Sequence, residues 1–120
     1  MDSNVVIDFC NGRMPKNGRI FLMAVNPEIS IVINFELFAT KNISKEEYKL
    51  LEKFVASSII HSINKDLVNT TIHTRQTYKI KLPDAIIAAT ALVYNLTLIS
   101  RNSKDFDGIE GLEFINPYGL

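Results

Sequence analysis

At 120 residues the chain can bury one core but is too short for two, so a single domain over residues 1–120 is expected. A composition of 47% hydrophobic and 22% charged residues fits a soluble globular protein; with no bilayer-length apolar run and no secretory leader, no membrane association and a cytoplasmic location are expected. The 13 basic and 13 acidic residues cancel, so net charge alone announces no nucleic-acid partner.

Asp2, Ser3 and Asn4 precede a predicted helix over Val5 to Cys10, where Val5, Val6, Phe9 and Cys10 form an apolar stripe closed by Asn11-Gly12. Ser3 and Asn4 are the expected caps, and Asp2 taken alone reads as a cap or a terminal residue. Cys10, the single cysteine, cannot close an internal disulfide and is expected in the core. Pro15 to Arg19 is expected as a loop, and periodicity does not assign the apolar run Ile20 to Val25. Ile29 to Ile33 reads as a β-branched strand. Asn34 then offers an N-cap for a helix through Ala39, with Glu36 in its first turn, where a carboxylate also complements the helix dipole.

Ser44 to Glu47 forms a capping box for an amphipathic helix that carries Tyr48, Leu51, Phe54 and Val55 on one face. Ser58 to Ile63 is a predicted strand, and a helix from Asn64 follows with Leu67, Val68, Thr71 and Ile72 at helical spacing. Between Leu37 and Lys81, eight Lys or Arg face four acids, an excess that fits a phosphate path or the solvated faces of two helices equally well. His61 and His73 lack a second His or Cys at ligand spacing, so they are expected as a half-buried strand residue and a helix-surface residue.

Pro83 and Asp84 start a helix whose small residues Ala88, Ala89 and Ala91 permit close approach to a sheet, and Asn95 ends it. Leu96 to Ile99 is an apolar strand, and the polar loop Ser100 to Asp105 lies past its carboxyl end, where open α/β sheets bind ligands. Asp107-Gly108 and Glu110-Gly111 turn the chain into a final strand, Leu112 to Ile115, which ends at Asn116-Pro117. The alternation of helices and strands predicts an α/β fold with a parallel sheet between helix layers.

The wording PDAIIAATAL, LTLISRNSKDF and GIEGLEFINPY resembles the carboxyl-terminal half of PIN-domain proteins of the VapC toxin type. DSNVVID and SIVINFELFA resemble that family's two earlier motifs, in the same order, so the resemblance spans nearly the whole chain. It implies a PIN-like three-layer fold, a short helix within Ile20 to Val25, and a metal-dependent ribonuclease toxin paired with a small antitoxin. It also implies a homodimer whose helices form a groove for the antitoxin's tail. Family members carry an apolar strand ahead of the residue matching Asp2. Only Met1 stands there here, so either upstream residues or another segment is expected to fill the centre of the sheet.

Asp2, Glu36, Asp84 and Asp105 each fall at a strand-to-helix junction or a helix start, and in a parallel sheet such junctions share one edge. Gathered carboxylates repel one another unless a cation neutralises them, and oxygen ligands without Cys or His point to Mg²⁺ or Mn²⁺. The resemblance implies Asp2 and Asp84 as direct metal ligands, Glu36 as a further ligand or a holder of metal-bound water, and Asp105 as the fourth acid. Some members place that acid where this chain has the neutral Asn102. Asn4, Ser100, Arg101 and Asn102 are the supporting candidates, and Arg101 is expected either to hold a phosphate or to pair with a nearby carboxylate. Two other readings follow: a PIN-like module that binds RNA or protein without cutting, and a small-molecule phosphatase, which lacks the usual Asp-x-Asp loop because Asn4 stands at the second position.

Overall fold

Asp2 is the residue that starts the first helix: its backbone is extended and its Oδ1 accepts a hydrogen bond from the Ser3 amide at 2.8 Å. Helix α1 therefore runs Ser3–Cys10, which corrects the expectation that Ser3 and Asn4 cap it and that it begins at Val5. Its Val5 and Val6 are fully buried, while Cys10 packs against the main core, and burial pushes its thiol up to about 11. The computed structural model describes residues 1–120.

Helix α2 occupies Lys16–Met23, so the loop expected through Arg19 stops at Pro15, whose fixed φ suits a helix entry. Strand β1 is only Glu28–Ser30, and helix α3 (Ile31–Phe38) starts within the predicted strand. The reason is a cap that propensity overlooks: Ser30 Oγ accepts from the Ile33 amide at 3.3 Å, an interaction worth about 1 kcal/mol. Asn34 is thus inside α3, and Glu36 lies in its second turn, not its first.

Ser44 caps helix α4 (Lys45–Ala56) by accepting from the Glu47 amide at 3.1 Å. Strand β2 (Ile59–His61) pairs in parallel with β1, and Asn64 caps helix α5 (Lys65–Thr77). His61 is half-buried, with Nε2 2.8 Å from Glu28 Oε1 and its ring stacked on Tyr94, while His73 is exposed on α5. Helix α6 (Leu82–Val93) has Pro83 in its first turn; Ala85, Ala88 and Ala89 are fully buried, and Asn95 leaves in the left-handed conformation at φ 55°.

Strand β3 (Thr97–Ile99) pairs in parallel with β4 (Glu113–Ile115), and the intervening polar stretch contains a short helix, α7 (Ser103–Phe106), where a loop was expected. A 3₁₀ turn over Pro117–Gly119 closes the chain. The core joins Val6, Ile29, Ile33, Leu37, Ile87 and Leu98, tying both strand pairs to helices α1, α3 and α6. No helix is long and apolar enough to cross a membrane.

The pairing is parallel as expected, but the strands form two separate two-stranded sheets, β1-β2 and β3-β4, instead of one. Between β1 and β3 lies a groove of about 310 Å³ whose walls include Ile29, Ile33, Leu98 and Ile99. Met1 and Asp2 stand at its end. The Met1 amino group donates to Glu28 O at 3.1 Å on one side, and the Asp2 amide donates to Ile99 O at 2.9 Å on the other. Alternate bonding to two neighbours is the signature of a residue pair lying between parallel strands.

Candidate active site

Past the ends of β1 and β3, four elements deliver acids to one region. Asp2 is the most firmly held. Besides capping α1, its Oδ2 accepts from Ser100 Oγ at 2.8 Å. Ser100 is itself fully buried; its amide donates to Ile115 O at 3.1 Å, and its Oγ accepts from the Asn102 amide at 3.0 Å. A single hydroxyl at the end of β3 thus fixes both the carboxylate of Asp2 and the entry to the α7 segment. Both oxygens of Asp2 already carry a donor, which orients its remaining lone pairs.

Asp84 enters from the first turn of α6 and is half-buried. Its carboxyl is raised above the ordinary range, first by burial, then by the charges of Asp105 and Asp2, against a smaller lowering by Lys81. Glu36 from α3 is raised in the same way, by burial first and then by Asp2 and Asp84. These mutual influences place Asp2, Glu36, Asp84 and Asp105 in one electrostatic field although they are scattered over the sequence. Asp105 is exposed in α7, and its Oδ2 accepts from Asn102 Nδ2, so Asn102 serves the fourth acid as a hydrogen-bond donor. Asn4 is exposed in the first turn of α1.

The donor set suits a hard divalent cation: all oxygen, negatively charged, and partly desolvated, so that the acids resist ionisation in one another's presence. As the side chains stand, no three His, Cys, Asp or Glu groups are close enough together to grip an ion. The acids share a field without sharing a point.

Two contributors escaped the reading of the sequence. Tyr118, in the closing 3₁₀ turn, donates its hydroxyl to Asp8 Oδ2 on α1, and burial, then that hydrogen bond and the charge of Asp8, raise its phenol well above the ordinary range. The guanidinium of Arg101 lies over the Tyr118 ring, 5.0 Å from its centroid. Tyr118 and Asp8 stood only at the ends of the motifs GIEGLEFINPY and DSNVVID, with no role of their own, and neither had a local signal linking it to Arg101.

The model of the PIN domain family matches residues 1–112. A toxin-antitoxin complex from Klebsiella pneumoniae contains a chain of similar structure, with 35% identity, TM-score 0.80, and coverage of 98% of this chain and 95% of that one. FitAcB from Neisseria gonorrhoeae is similar at 22% identity and TM-score 0.79, covering 99% and 97%. VapBC2 from Rickettsia felis, bound to a DNA fragment from its promoter, is similar at 21% identity and TM-score 0.77, covering 96% and 95%. The last two likenesses bear on the fold alone. No curated protein matches the chain.

Proposed function

Since the chain belongs to the PIN-domain family, we propose that it is of the VapC toxin type, a Mg²⁺- or Mn²⁺-dependent endoribonuclease and the cytoplasmic toxin of a type II pair whose second member is a small antitoxin. The observation that carries the reading is the acidic edge, where Glu36 and Asp84 are each raised by burial and by neighbouring carboxylates.

Asp2 and Asp84 would hold the cation, Glu36 would complete the set or order its water, and Asp105 would supply the fourth acid. A divalent ion held there would supply neutralisation of the clustered charge and Lewis-acid activation of water at a phosphodiester. The chain's own part is positioning: Ser100 keeps Asp2 from rotating, and Asn102 restrains Asp105. The antitoxin and a second copy of the chain are the protein partners of this proposal. The test is cleavage of single-stranded RNA with Mg²⁺ or Mn²⁺ against EDTA, using wild type and Asp84→Asn. Metal-dependent cutting that Asp84→Asn reduces at least about a hundredfold supports the reading, because the change removes one negative ligand and keeps the shape. Wild type that cuts with neither metal, or equally well in EDTA, overturns it.

A second reading, a PIN-like module that binds RNA or protein without cutting, draws on the neutral Asn102 and on the spacing of acids too wide to grip an ion as they stand. The same cleavage assay separates the two.

A further inference from the structure

Arg101 directly follows the serine that holds Asp2, so it leaves β3 at the border of the acidic edge. It is exposed, and no carboxylate oxygen lies within 4.0 Å of its guanidinium. Of the two alternatives expected of Arg101, a phosphate contact or a carboxylate pair, the structure shows no carboxylate pair. Its neighbour is the Tyr118 ring.

That ring is a fixed platform. Its hydroxyl is tied to Asp8, and the Tyr118 amide donates to Asn116 Oδ1 at 3.0 Å. The adjoining Pro117 is buried against Gly18 of α2, where an added Cβ would collide with Pro117 O and lie 3.0 Å from Met14 Sδ. Asn17 Nδ2 donates to Leu120 O at 3.1 Å, pinning the segment from its other end. A guanidinium stacked on an aromatic face keeps its N–H edge available, and being held beforehand it loses less freedom when it meets an anion.

We propose that Arg101 binds a backbone phosphate of single-stranded RNA beside the acidic edge, with Tyr118 and Asp8 as positioning residues that hold its guanidinium there. The proposal rests on the ribonuclease reading and deepens it: a cation free of the acids screens the substrate's charge where the acids would repel it.

The experiment measures binding of a fluorescein-labelled single-stranded RNA across a salt series in Ca²⁺, with a gel confirming that the strand stays intact. Arg101→Gln is expected to weaken binding about tenfold and to lower the salt slope by about 0.7, the value for one phosphate contact on a single strand. Tyr118→Leu is expected to weaken binding several-fold with the slope retained, since the charge stays but its perch goes, whereas Tyr118→Phe, which keeps the ring but loses its tie to Asp8, is expected to weaken binding by a smaller but measurable factor. Thermal midpoints establish that each variant is folded. Wild-type binding that Arg101→Gln leaves unchanged in affinity and slope overturns the assignment of Arg101 alone. A wild type that binds no single-stranded RNA overturns the reading beneath it as well.

Discussion

Adding a short apolar, β-prone segment ahead of Met1 is expected to stabilise the protein, by an amount that the buried amino terminus lets one work out. The amino nitrogen lies deep in the chain end while the Met1 side chain stays partly exposed, and desolvation lowers its pKa from 8.0 to about 6 despite the favourable charges of Asp2 and Glu28. The sign follows from proton uptake. Between pH 6 and 8 the unfolded chain binds the proton and the folded chain does not, so stability rises with pH through that window. A lowering of that size corresponds to about 3 kcal/mol, a penalty present in full below the folded value and gone above the unfolded one.

Converting the amine to an amide removes this penalty at every pH. At about 4 °C per kcal/mol for a chain of this length, the thermal midpoint near pH 5.5 is expected to rise by roughly 10 °C. Residues ahead of Met1 would also meet the free edges of β1 and β3 across the groove, satisfying N–H and C=O groups that neither two-stranded sheet pairs. The assay compares calorimetric midpoints of the two proteins from pH 5.5 to 8.5; subtracting one from the other cancels whatever the two share. If the difference is flat with pH, the amino terminus is not the buried base described, and if the extended protein is no more stable at any pH, the groove does not accept a strand.

Asp105→Asn is expected to weaken Mg²⁺ binding more than Asp107→Asn, measured by titration calorimetry, because Asp105 acts on Asp84 whereas Asp107 ends α7 exposed; equal effects would remove Asp105 from the site. Glu36 and Asp84 have raised carboxyls, so without divalent ions stability is expected to fall as pH rises from the ordinary carboxylate range through their folded values, and Mg²⁺ should flatten that fall; a metal-free midpoint that climbs across the same range would contradict it. Gly18→Ala is expected to cost about 1–3 kcal/mol in urea unfolding, through overpacking against Pro117 O, and a neutral result would mean that the closing turn shifts freely.

The helices around the site were legible because their start signals are local: Ser44, Asn64 and Pro83 all mark helix beginnings where the structure has them. Strand lengths were not. Ile29 to Ile33 is β-branched at every position but Ser30, yet Ser30 caps a helix and the core needs Ile33 and Leu37 on one helical face, so tertiary burial overrides propensity. Asp2, Glu36, Asp84 and Asp105 were nameable as candidates from their motifs, but the long-range bonds around them were not: Ser100 reaches Asp2 across 98 positions, and Tyr118, beneath Arg101, reaches Asp8 across 110. Contacts at that separation leave no periodic trace in a single sequence.

The split sheet and the acidic edge meet in the same two residues. Met1 donates to β1, Asp2 donates to β3, and the side chain of Asp2 then turns to cap α1 and accept from Ser100. The carboxylate expected to meet a cation is therefore anchored by backbone that is also the end of the groove, with a desolvated charge on its immediate neighbour. Ordering that end costs about 1–2 kcal/mol of backbone entropy per residue, and below pH 6 the amino group adds its own penalty to the same local opening. Opening of the first residues would release Asp2 before the core of Ile33, Leu37 and Ala88 is disturbed. Any change that holds the amino-terminal segment between β1 and β3 should consequently tighten divalent-ion binding as well as raise the thermal midpoint. Titration calorimetry on the extended protein would show this as a stronger Mg²⁺ affinity at equal pH, and an unchanged affinity beside a raised midpoint would mean that the geometry of Asp2 does not depend on the strand that precedes it.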